Sequence, residues 1–369
     1  MTNNQFLTTQ EIARQSLLVL RENLVFPMLS YRDCADDFAK KGDTIQVKKP
    51  PVYEANEFDG SITVQDTVED SVLVSLDKIA DVSVEITAKE MALNLESFTD
   101  QVITPAAVAI AEKINRDGLK LYKDIPYVAG TAGSTPQSLE AFATVRKMLN
   151  INKAPAAARA AIWDPEADYK FSTLDTVVHA EKAGSTDALR EGSIGRIQGL
   201  DNYMSQAVPQ HQKGSLAVTS GDIKLKNAAE AGATALVLNG SGLSGSLVKG
   251  DLLQIEGQTY TVMAAASVVE NQAEVVIYPA LRAAAEVASV VKIIDNHRAN
   301  LAFHKNAFAF VTRPLEVARG VESYVTNFEG LTLRVTFSYD ATHKKQMLSI
   351  DTLYGFKTLY PELAVRVLG

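Results

Sequence analysis

The sequence has 369 residues, of which 46% are hydrophobic and 22% charged, a composition typical of a folded chain with buried cores rather than a disordered one. The formal net charge is −8 and no cluster of lysines and arginines occurs, which argues against a dedicated nucleic-acid-binding protein. A single cysteine, Cys34, excludes an internal disulfide, and no apolar run reaches the roughly 18 residues of a membrane span.

Helical periodicity appears in two segments of the first 130 residues. Residues 8–30 start with a cap-like pair, Thr8 and Thr9, and continue with a loose apolar stripe. Residues 96–123 repeat apolar side chains at helical spacing, with charged side chains on the other side. Because Pro105 falls near the first turns, we expect a kink or a break in this longer helix.

Between these helices the sequence alternates between apolar and polar residues with a period of two. The alternation starts at Thr44 and returns in residues 72–76 and 82–86, on the far side of a long, acidic loop that contains two prolines. This pattern predicts an extended hairpin that projects from a body. Since an isolated two-stranded ribbon is marginally stable in water, we expect the hairpin to lie across a neighbouring subunit.

The middle of the chain predicts alternating helices and strands. Residues 138–150 form a helical pattern capped by Ser138, and residues 160–163 read as a short buried strand. Residues 166–190 look helical, and a strand follows near residues 200–204.

Residues 212–296 lack helical signals and predict a small antiparallel, barrel-like β unit. Its short strand-like runs are residues 234–238, 252–255, 259–263, 274–277 and 287–294. Beyond it, residues 331–339 and 347–354 predict two long strands around a polar turn.

A G-x-G-x-x-G pattern at Gly240, Gly242 and Gly245 is the one motif that suggests a nucleotide site. A dinucleotide-binding loop needs a helix directly after the glycines, because the helix N-terminus holds the pyrophosphate. Here Gly250 and Asp251 interrupt any helix within two turns, and no βαβ crossover follows. We therefore expect the glycines to supply the turn of a hairpin between strands 234–238 and 252–255.

Other catalytic patterns are missing from the sequence. It has no G-x-S-x-G elbow, and no two of its five histidines (179, 211, 297, 304 and 343) stand four residues apart. Each histidine is expected at the surface or in a local hydrogen bond, and the acidic loop lacks EF-hand spacing. We therefore predict no catalytic, cofactor-binding or metal-binding residues, and no cofactor.

The order of these parts resembles the Hong Kong 97-type capsid fold of tailed bacteriophages. Within that family, "GSIGRIQGLDNYMSQAVPQHQKG" (192–214) is similar to the segment that precedes an inserted domain in coat proteins of the short-tailed Salmonella phages. "NLAFHKNAFAFVTRPLE" (300–316) resembles the strand that returns to their apical domain, and "SIDTLYGFKTLYPELAVRVL" (349–368) resembles their last strand pair. The match in order covers nearly the whole chain.

The resemblance implies an α+β fold with an inserted small antiparallel β-barrel domain. The implied parts are an N-terminal arm (1–40), an extended loop with peripheral strands (41–90), a spine helix (91–130), the first part of an apical domain (131–211), the inserted β-barrel domain (212–296), the second part of the apical domain (297–330) and C-terminal peripheral strands (331–369).

The implied function is that of a major capsid protein, not an enzyme. It would assemble with itself into hexamers and pentamers of an icosahedral head in the bacterial cytoplasm, without a membrane, and enclose double-stranded DNA that it does not bind sequence-specifically. A separate scaffolding protein and a portal protein are the implied partners, because no long helical N-terminal segment is present to act as a built-in scaffold.

The extended loop departs from those members of the fold that crosslink a loop lysine to a neighbour's asparagine. No lysine occurs between Val52 and Leu76, so we expect non-covalent contacts only. The loop and base residues that we expect to form salt bridges between subunits are Lys48, Lys49, Glu54, Glu57, Asp59, Asp66, Glu69 and Asp70. Simple solubility is the alternative explanation of the acidic residues.

Two other functions stay open at this point. An encapsulin-like bacterial compartment shell shares the fold, although such shells usually lack the inserted β domain. An enzyme with an unrecognised site is the third possibility.

Overall fold

The computed structural model describes residues 9–32, 44–48, 71–86, 99–184, 186–317, 320–328, 330–340 and 345–369. Its α-helices are α1 (Thr9–Asn23), α2 (Phe26–Leu29), α3 (Thr104–Leu119), α4 (Leu139–Ile151), α5 (Pro165–Ser172), α6 (Asp175–Val178), α7 (Ala180–Ala183) and α8 (Asp187–Glu191). Its strands are β1 (Thr44–Lys48), β2 (Ser71–Ser75), β3 (Lys78–Ile86), β4 (Val128–Ala129), β5 (Arg159–Trp163), β6 (Arg196–Ile197), β7 (Leu200–Met204), β8 (Gln210–His211), β9 (Ser220–Leu225), β10 (Ala235–Ser241), β11 (Ser246–Leu247), β12 (Leu252–Ile255), β13 (Gln258–Val262), β14 (Ala266–Ser267), β15 (Gln272–Tyr278), β16 (Val291–Ile293), β17 (His297–His304), β18 (Phe308–Arg313), β19 (Glu322–Phe328), β20 (Leu331–Asp340), β21 (Lys345–Thr358) and β22 (Ala364–Leu368).

The fold is mixed α and β, as the sequence predicts, and the chain divides into two compact units. The first unit contains Met1–Pro27, Tyr31–Ile114 and Phe308–Leu359, and the second contains Met28–Ser30, Asn115–Ala307 and Tyr360–Gly369. One of the points where the chain passes between the units falls within α3. This helix is preceded by a π-helical segment, Thr99–Ile103, so the predicted irregularity near Pro105 is confirmed.

The first unit is built on an antiparallel sheet with the order β18-β21-β20-β19, in which β3 also pairs with β21. The predicted pair of long strands is confirmed, because β20 and β21 run antiparallel with Asp340 opposite Lys345. One face of α1 packs on β19 and β20, and it buries Ile12, Leu17 and Leu20. Burial of this apolar stripe stabilises a helix that is too short to be stable alone in water.

The second unit contains a mixed sheet with the order β4-β22-β17-β5-β7-β6. All five residues of β5 are buried, as expected for a strand in the centre of a sheet. Phe142 of α4, Trp163 of β5 and Phe171 of α5 pack with ring centroids 4.4 to 5.4 Å apart. This aromatic cluster anchors the two helices on one face of the sheet.

The predicted β unit forms a six-stranded antiparallel sheet with the order β16-β12-β13-β15-β10-β9. Its two end strands approach each other: Leu225 N–H donates to Ser289 O (3.0 Å), and Ala288 N–H donates to Leu225 O (2.9 Å). The sheet is therefore nearly closed into a barrel. Alternate residues of β10 and β15, such as Leu236, Leu238 and Val275, fill its interior.

Several predicted elements differ from the structure. Residues 166–190 form four short helices, α5 to α8, rather than one, with Gly184 at a left-handed φ of 78° after α7. The expected hairpin between residues 234–238 and 252–255 is wrong, because β10 pairs with β15 and β9 while β12 pairs with β13 and β16. Strands of the β unit therefore pair with partners that are distant in sequence.

Strands β17 and β18 follow each other along the chain but lie in different sheets. Strand β17 lies in the sheet of the second unit, and β18 pairs with β21 in the first. The final strand, β22, pairs with β17 and β4 in the second unit. Among the residues that the structure describes, no helix combines the length and apolarity of a membrane span.

Candidate functional site

The base of the predicted extended hairpin is a short antiparallel ladder. Strand β1 pairs with β2 in a register that runs from Thr44 opposite Ser75 to Lys48 opposite Ser71. Along β2, Val74 is buried, whereas Leu73 is 60% exposed. The two strands thus form the paired stem that the sequence predicts on either side of the acidic loop.

A glycine of the first unit's sheet brings this stem close to β21. A Cβ atom built on Gly355 would lie 2.1 Å from Ser75 O and 3.0 Å from Ser75 C, far inside van der Waals contact. Any side chain at this position would push β2 away from β21. Gly355 therefore fixes the root of the hairpin on the sheet.

The charged residues predicted for the loop lie beyond this stem. Lys48 is the last described residue of β1, and the structure places it opposite Ser71. The other seven fall outside the described residues: Lys49, Glu54, Glu57, Asp59, Asp66, Glu69 and Asp70. Their role between subunits stays a prediction.

The six-stranded β unit, which we call the insertion, is connected to the sheet of the second unit by two chain segments that pair with each other. Strand β8 leads into the insertion and β17 leads out of it, and they run antiparallel with His211 opposite His297. We call the paired residues 210–211 and 297–298 the neck. Just beyond it, Lys213 N–H donates to Asn296 Oδ1 at 2.8 Å, which closes the two segments together.

A buried hydrogen-bonded chain starts at the neck. His211 Nε2 lies 2.9 Å from Asp251 Oδ1, and His211 Nδ1 lies 3.0 Å from the Tyr122 hydroxyl. Because a carboxylate only accepts, Nε2–H donates to Asp251 and Nδ1 accepts from Tyr122. Asp251 also accepts backbone N–H bonds from Gly214 (3.1 Å) and Val248 (2.8 Å).

Arg366 of β22 lies beside this hydrogen-bonded chain and is fully buried. Its Nη1 donates to Gly250 O at 2.8 Å, and its guanidinium stands 4.4 Å from the centroid of the Tyr122 ring. Burial lowers the pKa of Arg366 to about 9, so it is charged at neutral pH. The sheet therefore holds the insertion through a cation, a carboxylate and an aromatic ring.

His297 completes this cluster, with its ring centroid 5.3 Å from that of His211. Its Nδ1–H donates to Asp295 O at 2.6 Å. Burial, then the nearby charge of Arg366, lower the pKa of His297 to about 4, and burial also lowers the pKa of His211. Both rings are thus neutral at pH 7.

This cluster holds two parts of one unit together. Tyr122, His211 and Asp251 form a chain of hydrogen bonds, but His211 and Asp251 are 2% and 0% exposed. A substrate would need access to them, which this burial prevents. Among the described residues, no group of three or more His, Cys, Asp or Glu side chains could hold a metal ion.

The sequence predicts none of the long-range bonds of His211, because each histidine stands isolated in the chain and is expected at the surface or in a local hydrogen bond. His211, His297 and His304 are all buried. His297 and His304 make the expected local bonds, to Asp295 O and from Asn306 N–H, whereas His211 bonds to residues distant in sequence. A usable signal was present: His211 and His297 directly flank the predicted insertion, 212–296. When the strands that enter and leave a domain pair with each other, histidines at the two ends of that domain become neighbours.

The glycine pattern is structural, as predicted. Gly242 and Gly245 have positive φ angles of 64° and 91°, and they form the turn between β10 and β11. A Cβ on Gly245 would lie 2.3 Å from Ser215 O. No helix follows the glycines, so no helix N-terminus is available for a phosphate.

Comparison with known proteins supports the fold. No family model and no curated protein matches the sequence. A solved structure from Mycobacterium phage Che8 matches with a TM-score of 0.52 and 14% identity, over 93% of this chain and 90% of that one. The capsid structure of cyanophage P-SCSP1u matches at a TM-score of 0.43 and 13% identity over 89% and 84%, and a virus-like particle from Pyrococcus furiosus at 0.43 and 9% over 97% and 98%. The chain shares the fold of the Che8 structure over nearly its full length.

Proposed function

We propose that this chain is the major capsid protein of a tailed bacteriophage, a coat protein of the Hong Kong 97-type fold. Copies of it form the hexamers and pentamers of an icosahedral head shell, first as a procapsid and then as the virion around double-stranded DNA. The observation that carries the proposal is the fold that the chain shares with the Mycobacterium phage Che8 structure over 93% of its length.

The stem of β1 and β2 supports this proposal, since the register continues to its last described pair, Lys48 and Ser71. The chain between these two residues holds six carboxylates and one lysine of the predicted contact set. In a shell, this hairpin lies across the adjacent subunit, whose basic residues pair with those carboxylates. Each subunit is then both donor and acceptor of the same contact, as in a closed ring.

The nearly closed barrel supports assignment to the coat-protein group with an inserted domain. It is a continuous insertion between β8 and β17, and it has its own apolar core. We assign it to contacts between capsomers.

The charge of the chain fits a shell that contains DNA without gripping it. At a net charge of −8, the protein repels the phosphate backbone, so DNA can be packaged and ejected without sequence-specific contacts. Assembly then depends on a separate scaffolding protein and a portal protein, and takes place in the host cytoplasm.

The proposal is tested by expressing the chain with a candidate scaffolding protein and analysing the lysate by sedimentation velocity and denaturing gel. We expect particles of uniform, shell-like sedimentation that dissociate in detergent into monomers, because the loop between Val52 and Leu76 has no lysine to crosslink. A subunit that stays monomeric with every scaffold tested would contradict the proposal. Shells that contain packaged enzyme in place of DNA would instead indicate a compartment shell.

A further inference from the structure

Two histidines occupy the one place where the insertion's two connecting segments cross into the sheet. His211 and His297 face each other across β8 and β17, and both are 2% exposed. They come from opposite ends of the insertion, so any force that separates the rings also separates the strands of the neck.

If both histidines gain a proton, the positive charges in this buried cluster outnumber the negative ones. Asp251, which directly precedes β12, faces His211, with Tyr122 and Lys123 from the 3₁₀ helix Lys120–Asp124 on its other side. Arg366 from β22 faces both rings. Protonation would place two imidazolium ions and a guanidinium around a single buried carboxylate.

Beyond the neck, further contacts join the insertion to the sheet and to the 3₁₀ helix Lys120–Asp124. Opening would remove these contacts. Arg366 Nη1 donates to Gly250 O at 2.8 Å, and Thr261 Oγ1 donates to Lys123 O at 2.9 Å. Lys249 pairs with Asp124 at 2.8 Å. The outer pair, Lys213 with Asp295, is solvent-exposed and contributes little.

We propose that His211 and His297 form a proton-sensitive latch, so that acidification opens the neck and releases the insertion from the sheet while the rest of the unit stays folded. The latch is a property of the single subunit and goes beyond the proposed shell function. Opening the neck would move the insertion without unfolding it, because the apolar interior of the insertion contains neither His211 nor His297.

The test is amide hydrogen exchange on the soluble full-length chain at pH 7 and pH 5, corrected for the chemical exchange rate. Peptides that cover residues 208–216 and 292–300 report the neck, and a peptide that covers β5 reports the sheet. For one histidine whose pKa moves from about 4 when closed to 6.5 when open, we expect the neck to open about twentyfold more at pH 5 than at pH 7. Because β5 opens only when the whole unit unfolds, it should stay far more protected than the neck at both pH values.

Two variants remove the titratable imidazole rings and keep one hydrogen-bond donor of each. His297→Asn retains a donor toward Asp295 O, and His211→Gln retains a donor toward Asp251. Each should reduce the acid-induced opening several-fold. His304→Asn is the matched control: His304 is also buried and lies on β17, away from the neck, so this variant should open as the wild type does.

Unchanged exchange of the neck in the wild type would overturn the proposal. So would neck and β5 peptides that exchange with the same protection factor at pH 5, which would indicate that the neck opens only through global unfolding. If the neck variants fail to fold, the contrast between neck and β5 in the wild type decides alone.

Discussion

Arg334 and Asp351 lie opposite each other on β20 and β21 and are joined by two hydrogen bonds, from Nε to Oδ1 at 3.0 Å and from Nη2 to Oδ2 at 2.5 Å. Across the next strand, Asp351 stands opposite Asp81 of β3. A row of one cation and two carboxylates thus crosses three strands of the first unit's sheet. The positive charge of Arg334 offsets the repulsion between the facing carboxylates of Asp351 and Asp81.

We predict that Arg334→Met lowers the free energy of unfolding by about 3 kcal/mol, because it leaves Asp351 largely buried beside a like charge. Urea denaturation followed by circular dichroism measures the change. Lys345→Met is the matched control on the same sheet: its pair with Glu85 is about half exposed, so the loss should stay below about 1 kcal/mol. Equal losses in the two variants would show that the row of charges does not stabilise the sheet.

Gly355 offers a test of how the hairpin is fixed. Gly355→Ala places a Cβ atom 2.1 Å from Ser75 O, so we expect β2 to shift and amide exchange in residues 71–76 to increase at least tenfold. Gly133→Ala is the control, since Gly133 has a positive φ of 76° but open space around it. It should cost only about 1 kcal/mol of backbone strain and leave β2 protected. A Gly355→Ala variant with wild-type exchange would place the root of the hairpin elsewhere.

Acid should destabilise the second unit through His297. Its pKa in the folded chain, about 4, is below the 6.5 of the unfolded chain, so the unfolded state takes up the proton first as pH falls. The stabilisation is complete above pH 6.5 and is lost progressively toward pH 4, with a maximum loss of about 3 kcal/mol.

The only tryptophan, Trp163, is buried in the aromatic cluster of that unit, so its fluorescence follows the unfolding. His297→Asn should flatten the pH profile between pH 6.5 and 4. His179→Asn, at a side chain that is 51% exposed, should not alter it. A wild-type stability that rises on acidification would contradict the assigned neutral state of His297.

The extended loop is tested by reversing two of its charges. Glu57→Lys combined with Asp59→Lys should impair shell assembly by at least tenfold in particle yield, because their basic partners on the neighbouring subunit would then face cations. The soluble variant should keep the circular dichroism spectrum of the wild type. Glu230→Lys with Glu274→Lys, two exposed positions of the insertion, makes the same change in net charge. Normal shells from the loop variant would leave solubility as the role of those carboxylates.

The sequence predicts best where local pattern and burial agree. The apolar run of β5 and the polar turn between β20 and β21 specify their strands without help from distant residues. Strand β9 was missed because its residues are mostly polar and exposed, and only its last residue, Leu225, is fully buried. Its place in the barrel depends on pairing with β10, which no local pattern encodes.

The contacts around the neck could not be derived from local sequence patterns either. His211 and Asp251 are 40 residues apart, and Arg366 is 116 residues from Gly250, so only the completed fold brings them together. The hairpin stem was predicted because its signal, two alternating segments around a polar loop, is local. Its loop carboxylates, from Glu54 to Asp70, stay a prediction outside the described residues.

Electron cryomicroscopy of the particles formed with a scaffolding protein tests whether this chain builds a closed shell. We predict an icosahedral reconstruction with this chain in hexamers and pentamers, its hairpin between β1 and β2 lying across the adjacent subunit and its barrel beside a neighbouring capsomer. A chain found only as a monomer or in open aggregates, with the hairpin folded back on its own sheet, would contradict the account.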